Sequence, residues 1–263
     1  MTHVPVPAWW GVALAALLIV ATGVVVMRER LGLGRDVVEA AVRAVVQLVA
    51  VGFVLRLLFE HAGIPGSLGW VGGMVLLAGR TAGRRAAGLP GATKAATIGI
   101  ATGVAASLGL LVGAHVLSAQ PRVVVPIGGM VVSAAMQGTT IVLARIRDEV
   151  ATSRALIEAR LALGLPGKAA FAPHRRVALR AALAPGLDQT KVVGLIALPG
   201  TMTGLIIAGV SPLTAIRYQV VVQYMWLGAV AISGLVAALV AGGGVFDEAH
   251  RLRYLGDTRR KAA

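Results

Sequence analysis

A helix needs about 20 mostly apolar residues to cross about 30 Å of hydrocarbon, and this chain holds seven such stretches, at 8–27, 37–58, 64–79, 95–117, 123–144, 192–210 and 215–241. That feature decides the class before any motif is considered. The expected fold is all-α: a polytopic integral membrane protein of about seven transmembrane helices, forming a single domain over 1–263. Composition removes the soluble alternative, because 57% of the residues are hydrophobic and only 14% charged, against about 25% charged in soluble domains. The 64–79 stretch is short and rich in glycine, so it reads as a full span or as a tilted or re-entrant helix.

Basic residues set the threading, since Lys and Arg accumulate on cytoplasmic loops. None precedes the first stretch; three follow it (Arg28, Arg30, Arg35), then Arg56 alone, then four (Arg80, Arg84, Arg85, Lys94), then Arg122 alone. Nine lie between 145 and 191, Arg217 stands alone, and five close the chain. This alternation puts the N-terminus outside and the C-terminus in the cytoplasm, which demands an odd number of crossings. The first stretch has no basic residue upstream and no small-residue cleavage site after it, so it is expected to be a retained helix. The net charge of +14 then points to anionic membrane lipid as a partner and not to nucleic acid. The absence of Cys excludes disulfides, thiolate metal sites and cysteine catalysis together.

One long segment, 145–191, interrupts the series between spans five and six. Its composition predicts a cytoplasmic helical hairpin: a helix over 147–163 ended by Gly164-Leu165-Pro166, where glycine and the following proline stop a helix, then a basic amphipathic helix over 174–183. Two readings are open for it, a hairpin lying on the inner leaflet with its arginines reaching lipid phosphates, or a docking element. Glu158-Ala159-Arg160 followed by Leu163-Gly164 resembles the coupling motif by which ABC-transporter permeases engage their ATPase subunit. Arg160 stands where the importer pattern has a second Ala.

Two other stretches carry a wider resemblance: Val42-Arg43-Ala44-Val45-Val46-Gln47-Leu48 with Gly52, and Ala181-Ala182-Leu183-Ala184-Pro185 continuing through Lys191-Val192-Val193-Gly194-Leu195 to Leu198-Pro199-Gly200-Thr201-Met202-Thr203-Gly204. With Val125-Pro126-Ile127-Gly128-Gly129-Met130 and Ala215-Ile216-Arg217-Tyr218-Gln219-Val220, they resemble the FetB-type permeases, the iron-export family of ABC membrane subunits, to which the plant aluminium-tolerance permeases are also similar. The resemblance spans about 35–239. It implies a permease that works as a homodimer with a separate ABC ATP-binding subunit, which would carry the ATP and Mg, and that moves a metal ion or small solute. Ser133-Ala134 replaces the Gly-Asn pair expected after Gly129-Met130. In agreement with that division, no G-x-x-x-x-G-K-[ST] string is present, and Gly167-Lys168 lacks both the upstream Gly and the following Ser or Thr.

Polar side chains at membrane depth are the candidates for the path, because hydrocarbon cannot satisfy them. Asp36, Glu39, Arg43 and Gln47 share one helical face, and the Glu39–Arg43 pair reads as a structural tether or as part of a gate. Met130, Ser133, Gln137 and Thr140 form a polar stripe on the fifth span, and Gln219, Gln223, Trp226 and Ser233 another on the seventh; each reads as helix-to-helix hydrogen bonding or as cavity lining. The sixth stretch is broken at Leu198-Pro199-Gly200, where proline removes a backbone donor. Broken helices of that kind line transport sites, although Gly200-Thr-Met-Thr-Gly204 is also a packing motif, with Met202 inside it. Asp188 and Lys191, three residues apart, are expected to pair. Methionines 130, 136, 202 and 225 offer soft sulfur, and His115 stands without a second His, so no metal ligand set emerges.

Two other classes fit the sequence less well. A secondary transporter or channel, not driven by ATP, should show paired acids deep in its spans; the acids here lie at span edges or in loops. An intramembrane enzyme or photoreceptor lacks its motifs: there is no H-E-x-x-H, no Gly-x-Ser-Gly and no Lys in the seventh span.

Overall fold

The computed structural model describes residues 8–196, 198–247 and 251–253, without the side chains of Trp9 and Ala62. The described residues are helical almost throughout: α1 (Trp9–Arg28), α2 (Gly34–Leu57), a π-helical turn at Leu58–Ala62, α3 (Gly63–Arg85), α4 (Ala92–Gly113), α5 (Pro121–Thr152), α6 (Arg154–Ala162), α7 (Gly167–Val192), α8 (Gly200–Ile207) and α9 (Pro212–Gly244). Extended pairing among them is confined to one antiparallel bridge, Phe246 with Leu252. Among the described residues, five helical segments are long and apolar enough to cross a membrane: Trp10–Arg28, Gly34–His61, Ala92–Gly113, Pro121–Thr152 and Pro212–Gly244. Their outward Leu and Val side chains, left bare by the protein, are what hydrocarbon requires.

Two of the seven expected spans are absent from those five. The third is present as α3, 23 residues long, but its glycines and terminal arginines hold its apolar content down. The sixth is not one helix: α7 ends at Val192, the chain turns through Gly194 at φ +83°, and α8 has only eight residues, about 12 Å of rise. The break expected at Leu198-Pro199-Gly200 is there, with Leu198 and Pro199 outside any helix and α8 starting at Gly200, and residues 193–196 are non-helical as well.

The chain divides into two compact units. The first comprises the residues up to Gly63 with Ile207–Gly209. In it α1 pairs with α2 through a tight turn, with Arg30 and Gly32 at positive φ. No residue of α2 is buried.

The second unit runs from Ile64 to Ile206 and resumes at Val210. It is built on small residues that let backbones meet, the packing rule of helices in lipid. α3 and α4 are antiparallel, with Gly79 against Thr97 and Gly83 against Thr93, leaving no room for a methyl at either glycine. α4 and α9 are antiparallel: a Cβ at Gly99 would lie 2.6 Å from the Ser233 carbonyl oxygen, and one at Gly103 2.8 Å from that of Ala229. α5 runs parallel to α9, Gly138 beside Val230 and Gly234 beside Val142. The buried Ser233 hydroxyl donates to the Ala135 carbonyl at 3.4 Å, tying α9 to α5.

α7 packs antiparallel on α9 in unbroken register. Gly167 lies against Phe246, Phe171 against Gly242, Leu179 against Gly234 and Gly186 against the Trp226 ring, and Gln223 Nε2 donates to Thr190 Oγ1 at 2.8 Å. The hairpin expected over 147–183 therefore differs in its joints. α5 continues to Thr152 and α6 begins at Arg154, while the second helix is 26 residues long and contains both Pro173 and Pro185. Interior proline costs about 3 kcal/mol; the apolar face Ala170, Phe171, Ala178, Ala182, Gly186, buried along α5 and α9, offsets it.

Candidate functional site

The expected docking element, Glu158 to Gly164, forms the end of α6 and the turn after it. α6 buries Ile157 completely, while Leu156, Leu163 and Leu165 stand out, Leu163 at 81% exposure. Ala159 and Glu158 are exposed, and Gly164 sits at φ +86°, a left-handed position that glycine takes without strain. Glu158 Oε1 is held by Arg154 Nη2 at 2.7 Å. Arg154 also donates to the Leu252 carbonyl at 3.2 Å, joining α6 to the Phe246–Leu252 bridge, beside which Asp247 accepts from Arg251 Nε at 3.0 Å. A cleft of about 900 Å³ lies between the two elements.

Arg160 does not face outward with the rest. Its Nη1 donates to the Ala170 carbonyl at 3.3 Å and lies 3.5 Å from His174 Nε2. His174 Nδ1 is 2.8 Å from Glu149 Oε2, and Arg145 Nη2 is 3.1 Å from Glu149 Oε1. Guanidinium nitrogens only donate, so His174 Nε2 accepts and Nδ1–H donates to the carboxylate. The His174 and Glu149 side chains are 6% and 12% exposed, so this is an enclosed charge cluster. It ties α5, α6 and α7 at one point.

The expected path residues fall into three groups. Arg43 and Gln47 lie on the exposed surface of α2, with Arg43 Nη2 2.6 Å from Glu39 Oε1. Met130, Ser133 and Gln137 form one exposed stripe along α5, with Gln137 Nε2 3.3 Å from Ser133 Oγ. The third group is brought together by α7 and α9: Asp188 pairs with Lys191 at 3.2 Å, Gln223 donates to Thr190, and Thr190 donates back to the Gly186 carbonyl at 2.7 Å. Gln219 is buried, and its Oε1 has no hydrogen-bond partner among the described residues. Pro199 and Met202 are half-buried at the start of α8, and Gly200 is exposed. No group of three or more His, Asp or Glu side chains among the described residues is placed to hold a metal ion.

Sequence reasoning missed Glu149, His174 and Thr190. The Arg145–Glu149 spacing of four was a visible signal. The His174–Glu149 contact, 25 residues apart, had none, because it depends on how α7 folds back on α5.

Comparison with known proteins shows similarity over nearly the whole chain. A family profile described as "Uncharacterised protein family (UPF0014)" matches residues 9–246. The chain is 38% identical to the UPF0014 membrane protein STAR2 of Oryza sativa subsp. japonica, over 94% of this chain and 89% of that protein. It is 36% identical to Protein ALUMINUM SENSITIVE 3 of Arabidopsis thaliana, over 91% and 88%. To the probable iron export permease protein FetB of Escherichia coli (strain K12) it is 32% identical, over 91% and 93%. No solved structure matches. With its apolar helices of membrane-spanning length and a family match over nearly its whole length, the chain is a multi-pass membrane protein that belongs to the UPF0014 family.

Proposed function

We propose that this chain is the permease subunit of an ATP-driven ABC transporter. It exports iron, another metal or a small solute as a homodimer, and a separate subunit binds and hydrolyses the ATP. The observation that carries this reading is α6, a nine-residue helix that, with the turn after it, leaves Leu156, Leu163 and Leu165 exposed while its inner side is anchored by Ile157, Arg160 and the enclosed Glu149–His174 pair. A short helix with a bare apolar edge and a rigid base suits docking into a partner's groove. The naming of the E. coli relative as a probable iron export permease supports the transport reading. The protein spans the plasma membrane seven times, with its N-terminus outside and its C-terminus in the cytoplasm.

Two measurements test this. Glu158→Arg breaks the Arg154 pair and puts like charges one turn apart on the docking edge. Copurification with the ATP-binding subunit should fall about tenfold, equivalent to about 1.4 kcal/mol, while the permease still inserts. Normal copurification together with normal transport-stimulated ATPase activity rejects α6 as the docking element. Orientation is checked by Ala151→Cys, a lone thiol in a chain without native cysteine: in intact cells it should resist an impermeant maleimide and react in inverted vesicles. Labelling of intact cells would reverse the threading.

A further inference from the structure

The register of α7 on α9 sets part of the long inter-span segment beside the long uncharged stretch of α9. On α9, Arg217 is the only charged residue. On α5, Arg122 and Arg145 bound an uncharged run. Since Val142 lies beside Gly234 in a parallel pair, Arg145 is level with about Ala237. The uncharged belt of α9 from Arg217 to that level is about 30 Å of helix, one hydrocarbon thickness. In the α7–α9 register, Arg176 is level with Ala237, Asp188 with Met225 and Val192 with Val221. α7 thus enters the belt near Arg176 and climbs about 24 Å into it, carrying Asp188 and Lys191 past its midpoint.

Around α7, Ala178, Ala182 and Gly186 are buried, and Arg180, Ala184, Asp188 and Lys191 form the opposite, exposed stripe. The Asp188 and Lys191 side chains are 72% and 73% exposed. Charges at that depth do not face lipid; they face protein or a water-filled cavity. Beyond them the helix stops, its Val192 carbonyl accepting from the Leu195 and Ile196 backbone N–H groups of the turn that follows, and the buried Gln219 Oε1 at the same level has no hydrogen-bond partner among the described residues. Broken helix ends of this kind are tolerated at membrane depth where they line a cavity.

We infer that α7, and not 192–210, makes the sixth crossing, and that its stripe of Arg180, Asp188 and Lys191 is the ionic lining of a water-filled translocation cavity for a charged, hydrated solute. The number and direction of crossings stay as proposed above; the turn after Val192 and α8 move toward the outer side. The cavity's use for transport rests on the permease reading, whereas the crossing itself does not.

The test uses the full-length chain in liposomes. Thr190→Cys with Gln223→Cys should form a disulfide, fixing α7 against α9. Single nitroxide labels at Tyr224→Cys, on the exposed side of α9, and at Ala184→Cys then report surroundings. Tyr224→Cys should be quenched by oxygen and shielded from a water-soluble nickel chelate, and Ala184→Cys should be about tenfold more open to the chelate than Tyr224→Cys. Water-like signals at both positions, or no disulfide, overturn the crossing; lipid-like signals at both overturn the cavity. Lys191→Met should lower ATP-driven transport while the 190–223 disulfide pair still forms. If the unmodified permease with its ATP-binding subunit shows no ATP-driven transport although the labels behave as expected, the permease reading fails and the crossing stands.

Discussion

Gly99→Leu should leave little or no monodisperse protein after detergent extraction, and Gly99→Ala should already lower the melting temperature. A Cβ at Gly99 would lie 2.6 Å from the Ser233 carbonyl oxygen and 2.8 Å from the Ala237 Cβ, so the clash is with the α9 backbone and not with a side chain that can swing away. Overpacking of a core costs about 1–3 kcal/mol when neighbours can give. Here relief requires separating α4 from α9 along a contact that also includes Gly103, 2.8 Å from the Ala229 carbonyl oxygen by the same measure, and the cost should exceed that range. Gly109, on the same helix with nothing within 4 Å of an added Cβ, is the control. Gly109→Leu should be neutral or stabilising by up to about 1 kcal/mol, since glycine is a poor helix former. Size-exclusion profiles and thermal unfolding of the three variants decide the matter, and equal behaviour of Gly99→Leu and Gly109→Leu would refute the close α4–α9 contact.

Glu149→Leu should destabilise the protein by about 2 kcal/mol and loosen α6 selectively. Glu149 is the acid of the enclosed cluster. Its loss leaves the buried His174 Nδ1–H without its acceptor, and an unsatisfied buried donor costs about 1–3 kcal/mol. Arg145 is 47% exposed and can rehydrate, so its ion pair adds little. Hydrogen exchange should rise in residues 154–162 before it rises in α9. Replacing both partners, Glu149→Leu with His174→Leu, removes the unpaired groups together and should recover most of the loss. A double variant that is less stable than the single one would mean that the cluster is not the clamp described. If α6 is the docking helix, the single variant should also hydrolyse ATP with less transport per ATP, because a loose α6 no longer moves α5 and α7 with it.

The sequence by itself determined the class, the family and most of the membrane helices. Apolar runs of crossing length, such as 95–117 and 215–241, are one-dimensional signals: lipid demands them along a single helix, and α4 and α9 appear close to where they were expected. The family strings around Arg43, Pro126 and Pro199 were equally local. The Glu39–Arg43 and Asp188–Lys191 pairs followed from helical spacing, and both are formed.

Only the tertiary structure shows how α7 packs. The sequence reads as a basic amphipathic helix over 174–183, whereas α7 runs from Gly167 to Val192 through both prolines, because hydropathy averages over all faces of a helix and cannot register that Ala178, Ala182 and Gly186 form a seam narrow enough to bury. For the same reason Arg160, expected at the docking edge, turned inward, since its direction depends on His174, which α7 presents only after folding back on α5. Contacts between residues 25 or 33 apart, such as Glu149 with His174 and Thr190 with Gln223, leave no periodic trace in a single chain. They arise from the register of one helix on another, and the small residues that set that register say that helices will approach closely without saying which ones.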